Sequence, residues 1–191
     1  MTFSTIHAAA AVLMVASAIM LGKMAVAWAR YRGERLILCP ENCRPAGVRV
    51  DALHASGAAL AGAAELRLSD CSRWPERAGC GQECLSQIQT APEECLVRHK
   101  VTQWYEDKLC VSCGQRFEDV SWNSVKPALL VADKVTVGWN EVPVAELPDT
   151  LNAALPICFA CHMANKLVRE HPELATDRSW PHFRQRSTGH C

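Results

Sequence analysis

Apolar residues run almost unbroken from Ala8 to Ala29, interrupted only by Ser17, Gly22 and Lys23. About 20 such residues cross a bilayer as a helix, so this stretch predicts a single transmembrane segment. Met1 to His7 carries no Lys or Arg, whereas Arg30, Arg32 and Arg35 follow the run at once. The positive-inside bias then puts the N-terminus outside and the rest of the chain in the cytoplasm, with Trp28 and Tyr31 in the interfacial belt. A cleaved signal peptide and export to the periplasm is the competing reading, because Ala25-Val26-Ala27 and Ala27-Trp28-Ala29 both fit a small-x-small cleavage site. The basic residues lie on the wrong flank for it.

Beyond the anchor the pattern changes to short alternating runs. Leu36-Ile37-Leu38, Val48-Arg49-Val50 and Leu66-Arg67-Leu68 read as strands, and the Ala/Gly-rich stretch from Ala52 to Ala64 reads equally as a helix or a loop. From Thr90 the period becomes helical: Thr90 and Glu93 have capping-box spacing, Pro92 suits a first turn, and Val97, Val101, Trp104 and Tyr105 share a face, predicting a helix to Leu109. Lys134 to Trp139 predicts a strand, Pro148 to Ala154 a short helix, and Met163 to Glu170 another that Pro172 closes. Trp180 to Cys191 is a polar, frayed tail. The expected fold class is α+β: one N-terminal transmembrane helix followed by a small metal-stabilised domain. The expected divisions are 1–35 as membrane anchor with basic flank, 36–108 as a cysteine-rich region, 109–179 as a metal-holding region and 180–191 as tail.

Composition sharpens this picture at two points. Twenty Lys and Arg balance twenty Asp and Glu, so nothing in the net charge favours a nucleic-acid partner. Eleven cysteines among 191 residues, on the other hand, point to disulfides, metal ligands or a covalently held cofactor.

Two Cys-x-x-Cys pairs dominate: Cys110-Val-Ser-Cys113, followed by Gly114, and Cys158-Phe-Ala-Cys161. Each can present two thiolates about 2.3 Å from one tetrahedral ion. Gly114 stands where such a turn favours positive φ and aims amides at sulfur. The pattern resembles zinc ribbons over roughly residues 109–165. That resemblance implies a structural zinc held by Cys110, Cys113, Cys158 and Cys161, with β-strands packed around it. The interval between the pairs exceeds the about 15 to 20 residues of compact ribbons, so the segment Trp122 to Leu155 is expected to be an insertion.

The same residues support a rival. Cys158-Phe-Ala-Cys161-His162 is also a CxxCH signature of covalent c-type haem attachment, in which His162 would ligate the iron and a remote group such as His171 or His182 would be the distal ligand. A third reading makes one Cys-x-x-Cys pair a redox dithiol. With zinc, His162 becomes a supporting or helix-start residue.

A second cysteine group is Cys39, Cys71, Cys80 and Cys84. Cys80 and Cys84 share one face if they lie on a helix, and Cys39 and Cys71 can join them from loops, giving a second zinc or an iron–sulfur cluster. Cys43 and Cys95 are then spare, and buried free thiols are the plain alternative for the whole group. The stretches CPENCRPAGVRVDA and CSRWPERAGCGQECLSQI resemble small membrane-anchored bacterial proteins of unassigned role, a likeness that implies no activity.

No catalytic residue is expected. Glu118, Asp119, Glu141, Glu146 and Asp149 read as a solvated face, His54 and His99 as surface or capping residues, and Trp74, Trp104, Trp122, Trp139 and Trp180 as core or interface anchors. Neither nucleotide-binding nor hydrolase motifs occur. The functional expectation is a membrane-tethered cytoplasmic zinc-binding module with a protein partner. The alternative is a membrane-anchored electron-transfer protein.

Overall fold

A computed structural model describes residues 2–62, 65–77, 79–117, 126–132 and 135–174. The chain divides into two compact units, Met1–Lys100 and Val101–Cys191.

The first unit begins with α1, Thr2–Tyr31, whose stretch His7–Tyr31 has a mean hydropathy of 2.0 and is long and apolar enough to cross a membrane. Val12, Leu13, Met14 and Val15 stand exposed along it. Among its described side chains, Ala27 and Tyr31 near the C-terminal end are buried. The helix is followed by an antiparallel sheet in the order β1-β2-β3, made of Glu34–Leu38, Pro45–Val50 and Leu68–Cys71. Alternation puts Ile37, Val48, Val50 and Leu68 into one core. The Ala/Gly-rich stretch resolves into helix α2, Ala52–Ala58, capped by Asp51 accepting from the His54 amide at 2.9 Å. It packs on α1.

Two expectations in this unit need correction. The third strand starts at Leu68 instead of Leu66, because a bulge at Arg49/Val50 shifts the register and Val50 pairs with Leu68. The helix expected from Thr90 to Leu109 is two helices, α3 at Leu85–Thr90 and α4 at Val97–Tyr105. Thr90 ends the first, its hydroxyl donating to the Ser86 carbonyl at 2.9 Å, and Pro92 disfavours helical backbone at Ala91, which has φ −138° and ψ 70°. The interval is used: Leu36 donates to the Cys95 carbonyl at 2.8 Å and Arg35 bridges to Leu96. The second helix stops at Tyr105, and Asp107 has a φ of 56°.

In the second unit, β4 (Ala128–Leu130) is the centre of a sheet ordered β5-β4-β6, with β5 at Thr136–Gly138 and β6 at Leu155–Ile157. The segment expected as an insertion therefore supplies two of the three strands. Strand β5 falls within the strand expected at Lys134–Trp139, whereas the Ala128–Leu130 run was too short to show alternation. Helix α5 spans Leu147–Ala153, and α6 spans Phe159–Glu170, beginning four residues earlier than expected because Cys158, at φ −74° and ψ 160°, is already its N-cap. The expected tail, with Trp180 and Cys191, lies outside the described residues, as do Lys134, Glu118, Asp119, Trp122 and His182.

Candidate metal centre

Leu109 pairs with Arg116 across a tight turn that carries the first cysteine pair. The Cys110 amide donates to the Gln115 carbonyl at 2.9 Å and the Gly114 amide to the Cys110 carbonyl at 2.8 Å. Gly114 takes φ 71°, a left-handed value that glycine adopts without a Cβ penalty. The turn is fastened to β6 by the Val111 amide donating to the Pro156 carbonyl at 2.9 Å. That contact brings it beside Cys158 at the end of β6 and Cys161 one turn into α6.

The four sulfurs of Cys110, Cys113, Cys158 and Cys161 all lie within 4.8 Å of one another. Sulfurs bound about 2.3 Å from one tetrahedral ion stand about 3.8 Å apart. Cys113 and Cys158 are separated by 3.8 Å. The group sits against a small core of Ala128 and Ile157, with Phe117 and Leu130 alongside. Tyr105 packs on Phe117 with ring centroids 4.8 Å apart and donates its hydroxyl to the Ala128 carbonyl at 2.7 Å, and burial holds its phenol protonated.

The thiols are not equivalent. Burial opposes ionisation of Cys110, but amide donors from Cys158, Cys113 and Ser112 outweigh it and bring the thiol down to about 7. The Cys158 donor lies 3.2 Å from that sulfur. Burial, opposed by a hydrogen bond from the Ser112 side chain and reinforced by the Cys158 and Cys113 sulfurs, pushes Cys161 up to about 12. Burial also raises Cys113. Several thiolates crowded together repel, and a dication removes that cost.

His162 lies on α6 with Nδ1 2.9 Å from the hydroxyl of buried Thr136, and burial lowers its pKa. His171 pairs instead with exposed Glu173 at 3.1 Å. Glu141, Glu146 and Asp149 are exposed, as a solvated face requires. Ser112 and Thr136, which orient Cys161 and His162, were not singled out from sequence; Ser112 was findable as the residue inside the first pair, whereas Thr136 is brought in by β5.

The second expected group is only partly assembled. Cys80 and Cys84 do not share a helix: Gln82 between them has φ 55°, and Cys84 is the N-cap of α3. The Cys84 thiol nonetheless has Cys71, Cys80 and Cys39 as electrostatic neighbours, and burial together with them pushes it up to about 11. Among the described residues, Cys110, Cys113, Cys158 and Cys161 form the group of ligand atoms close enough to share an ion, and Cys39, Cys71, Cys80 and Cys84 do not form such a group. Cys95 is buried and Cys43 exposed.

No family model matches the chain, and neither a curated protein nor a solved structure matches it.

Proposed function

We propose that this chain is a membrane-tethered zinc-binding module whose cytoplasmic part folds round a structural zinc held by Cys110, Cys113, Cys158 and Cys161, and which serves as an interaction or scaffolding protein. The observation that carries the reading is the convergence of the four sulfurs within 4.8 Å. Four thiolates fill a tetrahedral site and leave no position for water or substrate, so such a site stabilises a surface instead of activating a reactant. The surface it supports is α6, where Phe159, Met163 and Leu167 follow one another at four-residue spacing and remain 38%, 45% and 51% exposed. An apolar row on a helix fixed at its N-terminus suits a protein partner.

The cytoplasmic placement rests on Arg30 in the last turn of the apolar helix and Arg32 just beyond it, their guanidiniums lying over the rings of Tyr31 and Trp28 at 5.9 and 4.7 Å. A redox dithiol needs a low-pKa thiol within reach of a substrate. Cys110, the depressed one, is 1% exposed. The haem alternative keeps its CxxCH signature, but it requires Cys158 and Cys161 to turn away from Cys110 and Cys113 toward a porphyrin.

Elemental analysis with an absorption spectrum of the detergent-extracted protein tests the reading. Colourless protein with zinc supports it; a Soret band, or iron with sulfide absorption, overturns it. A reporter fused at the C-terminus tests sidedness. A folded, zinc-loaded Cys158→Ser variant would speak against the structural zinc and for the dithiol.

A further inference from the structure

The first unit presents a cysteine in the same backbone turn that carries Cys110 in the second. Cys39-Pro-Glu-Asn-Cys43 connects β1 to β2. In it the Cys39 amide donates to the Arg44 carbonyl at 2.9 Å and the Cys43 amide to the Cys39 carbonyl at 2.8 Å. The Cys110 turn closes through the same pair of bonds, five and four residues on, at 2.9 and 2.8 Å. The residue four after the cysteine has positive φ in both, 53° at Cys43 and 71° at Gly114. A non-glycine residue seldom adopts that conformation. In both turns the backbone amides that follow the cysteine favour its thiolate, those of Glu41 and Asn42 at Cys39 and those of Ser112 and Cys113 at Cys110. Amides converging on sulfur are what a metal-bound thiolate needs. Asn42 stands where Cys113 does, so this turn offers one ligand and not two.

The other sulfurs come from segments fastened around that turn. Strands β1 and β3 flank β2 and run parallel to each other, so Cys39 and Cys71 leave the sheet at the same end. Gln87 of α3 brackets Leu38, donating to its carbonyl at 2.6 Å and accepting from its amide at 3.1 Å. Gln82 accepts from the Leu68 amide at 2.8 Å. These two glutamines tie the Cys80–Cys84 turn across both strands. Cys71 and Cys84 are buried in one core and Cys39 packs against it. Arg73, two residues beyond Cys71, donates to the Cys39 sulfur at 2.9 Å.

We propose that Cys39, Cys71, Cys80 and Cys84 hold a second zinc ion, with the Arg73 guanidinium against the Cys39 sulfur offsetting part of the negative charge of four thiolates. Binding would hold the sulfurs about 3.8 Å from one another. The protons of the thiols pass to solvent. This site is independent of the one formed by Cys110, Cys113, Cys158 and Cys161.

The test uses the full chain in detergent, loaded with zinc alone. Two zinc ions per chain are expected, falling to one in a Cys110→Ser/Cys158→Ser variant and to one in a Cys39→Ser/Cys84→Ser variant. Iodoacetamide mapping should find Cys39 and Cys80, both partly exposed, protected until a chelator is added, while exposed Cys43 reacts throughout. One zinc per chain, with Cys39 and Cys80 alkylated before chelation, overturns the proposal and leaves the other site standing. Disulfide-linked peptides among the four, or iron and sulfide held by them, overturn it as well. If the Cys39→Ser/Cys84→Ser protein does not fold, the wild-type stoichiometry and alkylation map decide alone.

Discussion

The backbone amide of Cys158 donates to the sulfur of Cys110 at 3.2 Å, across the whole interval between the two cysteine pairs. One pair therefore helps to ionise the other before any ion arrives, and losing Cys110 removes a ligand together with the acceptor of that bond. If the group holds zinc as proposed, Cys110→Ser is expected to abolish that binding and, with it, binding free energy on the order of 10 kcal/mol that supports folding of this unit. Zinc content and limited proteolysis of residues 109–170 check this; retained zinc with unchanged protease resistance would contradict it.

Zinc binding should also release protons. Near pH 7.5 Cys110, with a pKa of about 7, is mostly ionised, whereas Cys161 at about 12 and the raised Cys113 are not. Filling the site therefore releases at least the two protons of Cys113 and Cys161 at pH 7.5 and more below pH 7, so affinity falls as pH falls. Calorimetry of the Cys39→Ser/Cys84→Ser protein in buffers of different ionisation enthalpy measures the number. Release of one proton or none would mean that the thiols are already ionised.

Asp51 caps α2 and pairs with Arg67 at 2.6 Å. The His54 amide, first, and the Arg67 side chain hold its carboxyl below the ordinary range. A depressed carboxyl contributes stability that is present above its unfolded pKa and is lost as pH falls through the folded value. Amide exchange across Ala52–Ala58 should accelerate on acidification through that window, and Asp51→Ala should be fast at every pH. Equal acid sensitivity in the two proteins would remove Asp51 as the cause.

Arg35 is fully buried, and Nη2 donates to the Arg30 carbonyl at 2.6 Å while Nε and Nη1 have no hydrogen-bond partner. The Nη2 contact places a cation at the C-terminal end of α1, where helix carbonyls lack partners. Burial lowers its pKa. Replacing a buried charge by an apolar side chain of similar volume is often neutral or stabilising. Arg35→Met is therefore expected to change stability by less than about 1 kcal/mol, whereas Arg35→Ala, which leaves a cavity, costs about 3 kcal/mol. Equal losses in thermal unfolding of the two variants would show that the guanidinium itself is required.

Met163→Ser/Leu167→Ser should leave zinc content and helicity unchanged, because neither side chain belongs to the buried core. Membrane-extracted protein should then lose any partner that cross-links to a photoreactive residue at position 160. Cross-linking that persists at wild-type yield would move the interaction surface elsewhere.

Much of this was legible because the signals were local. An apolar run as long as Ala8–Ala29 can only be helix, alternation at Val48-Arg49-Val50 sets a strand, and cysteines three apart share a turn whatever surrounds them. The break between α3 and α4 was hidden because Thr90-x-x-Glu93 reads as a start when Thr90 is an end, and only pairing of Leu36 with Cys95 makes the extended interval worthwhile. Strand β4 was hidden for a similar reason: Ala128–Leu130 gains its hydrogen bonds from Gly138 on one side and Ile157 on the other, partners that three residues cannot announce.

The amino-acid order alone thus determined which residues carry sulfur, which of them must lie within one turn of each other, and which helix is apolar enough for lipid. Tertiary structure decided which pairs meet. Cys110 reaches Cys158 because Val111 bonds to Pro156 on β6, the strand that leads into Cys158, and Cys84 approaches Cys71 because Gln82 and Gln87 grip two strands. Turn geometry is paid for by neighbouring residues, but bringing distant sulfurs together costs chain entropy that only packing and pairing across the sheet can offset.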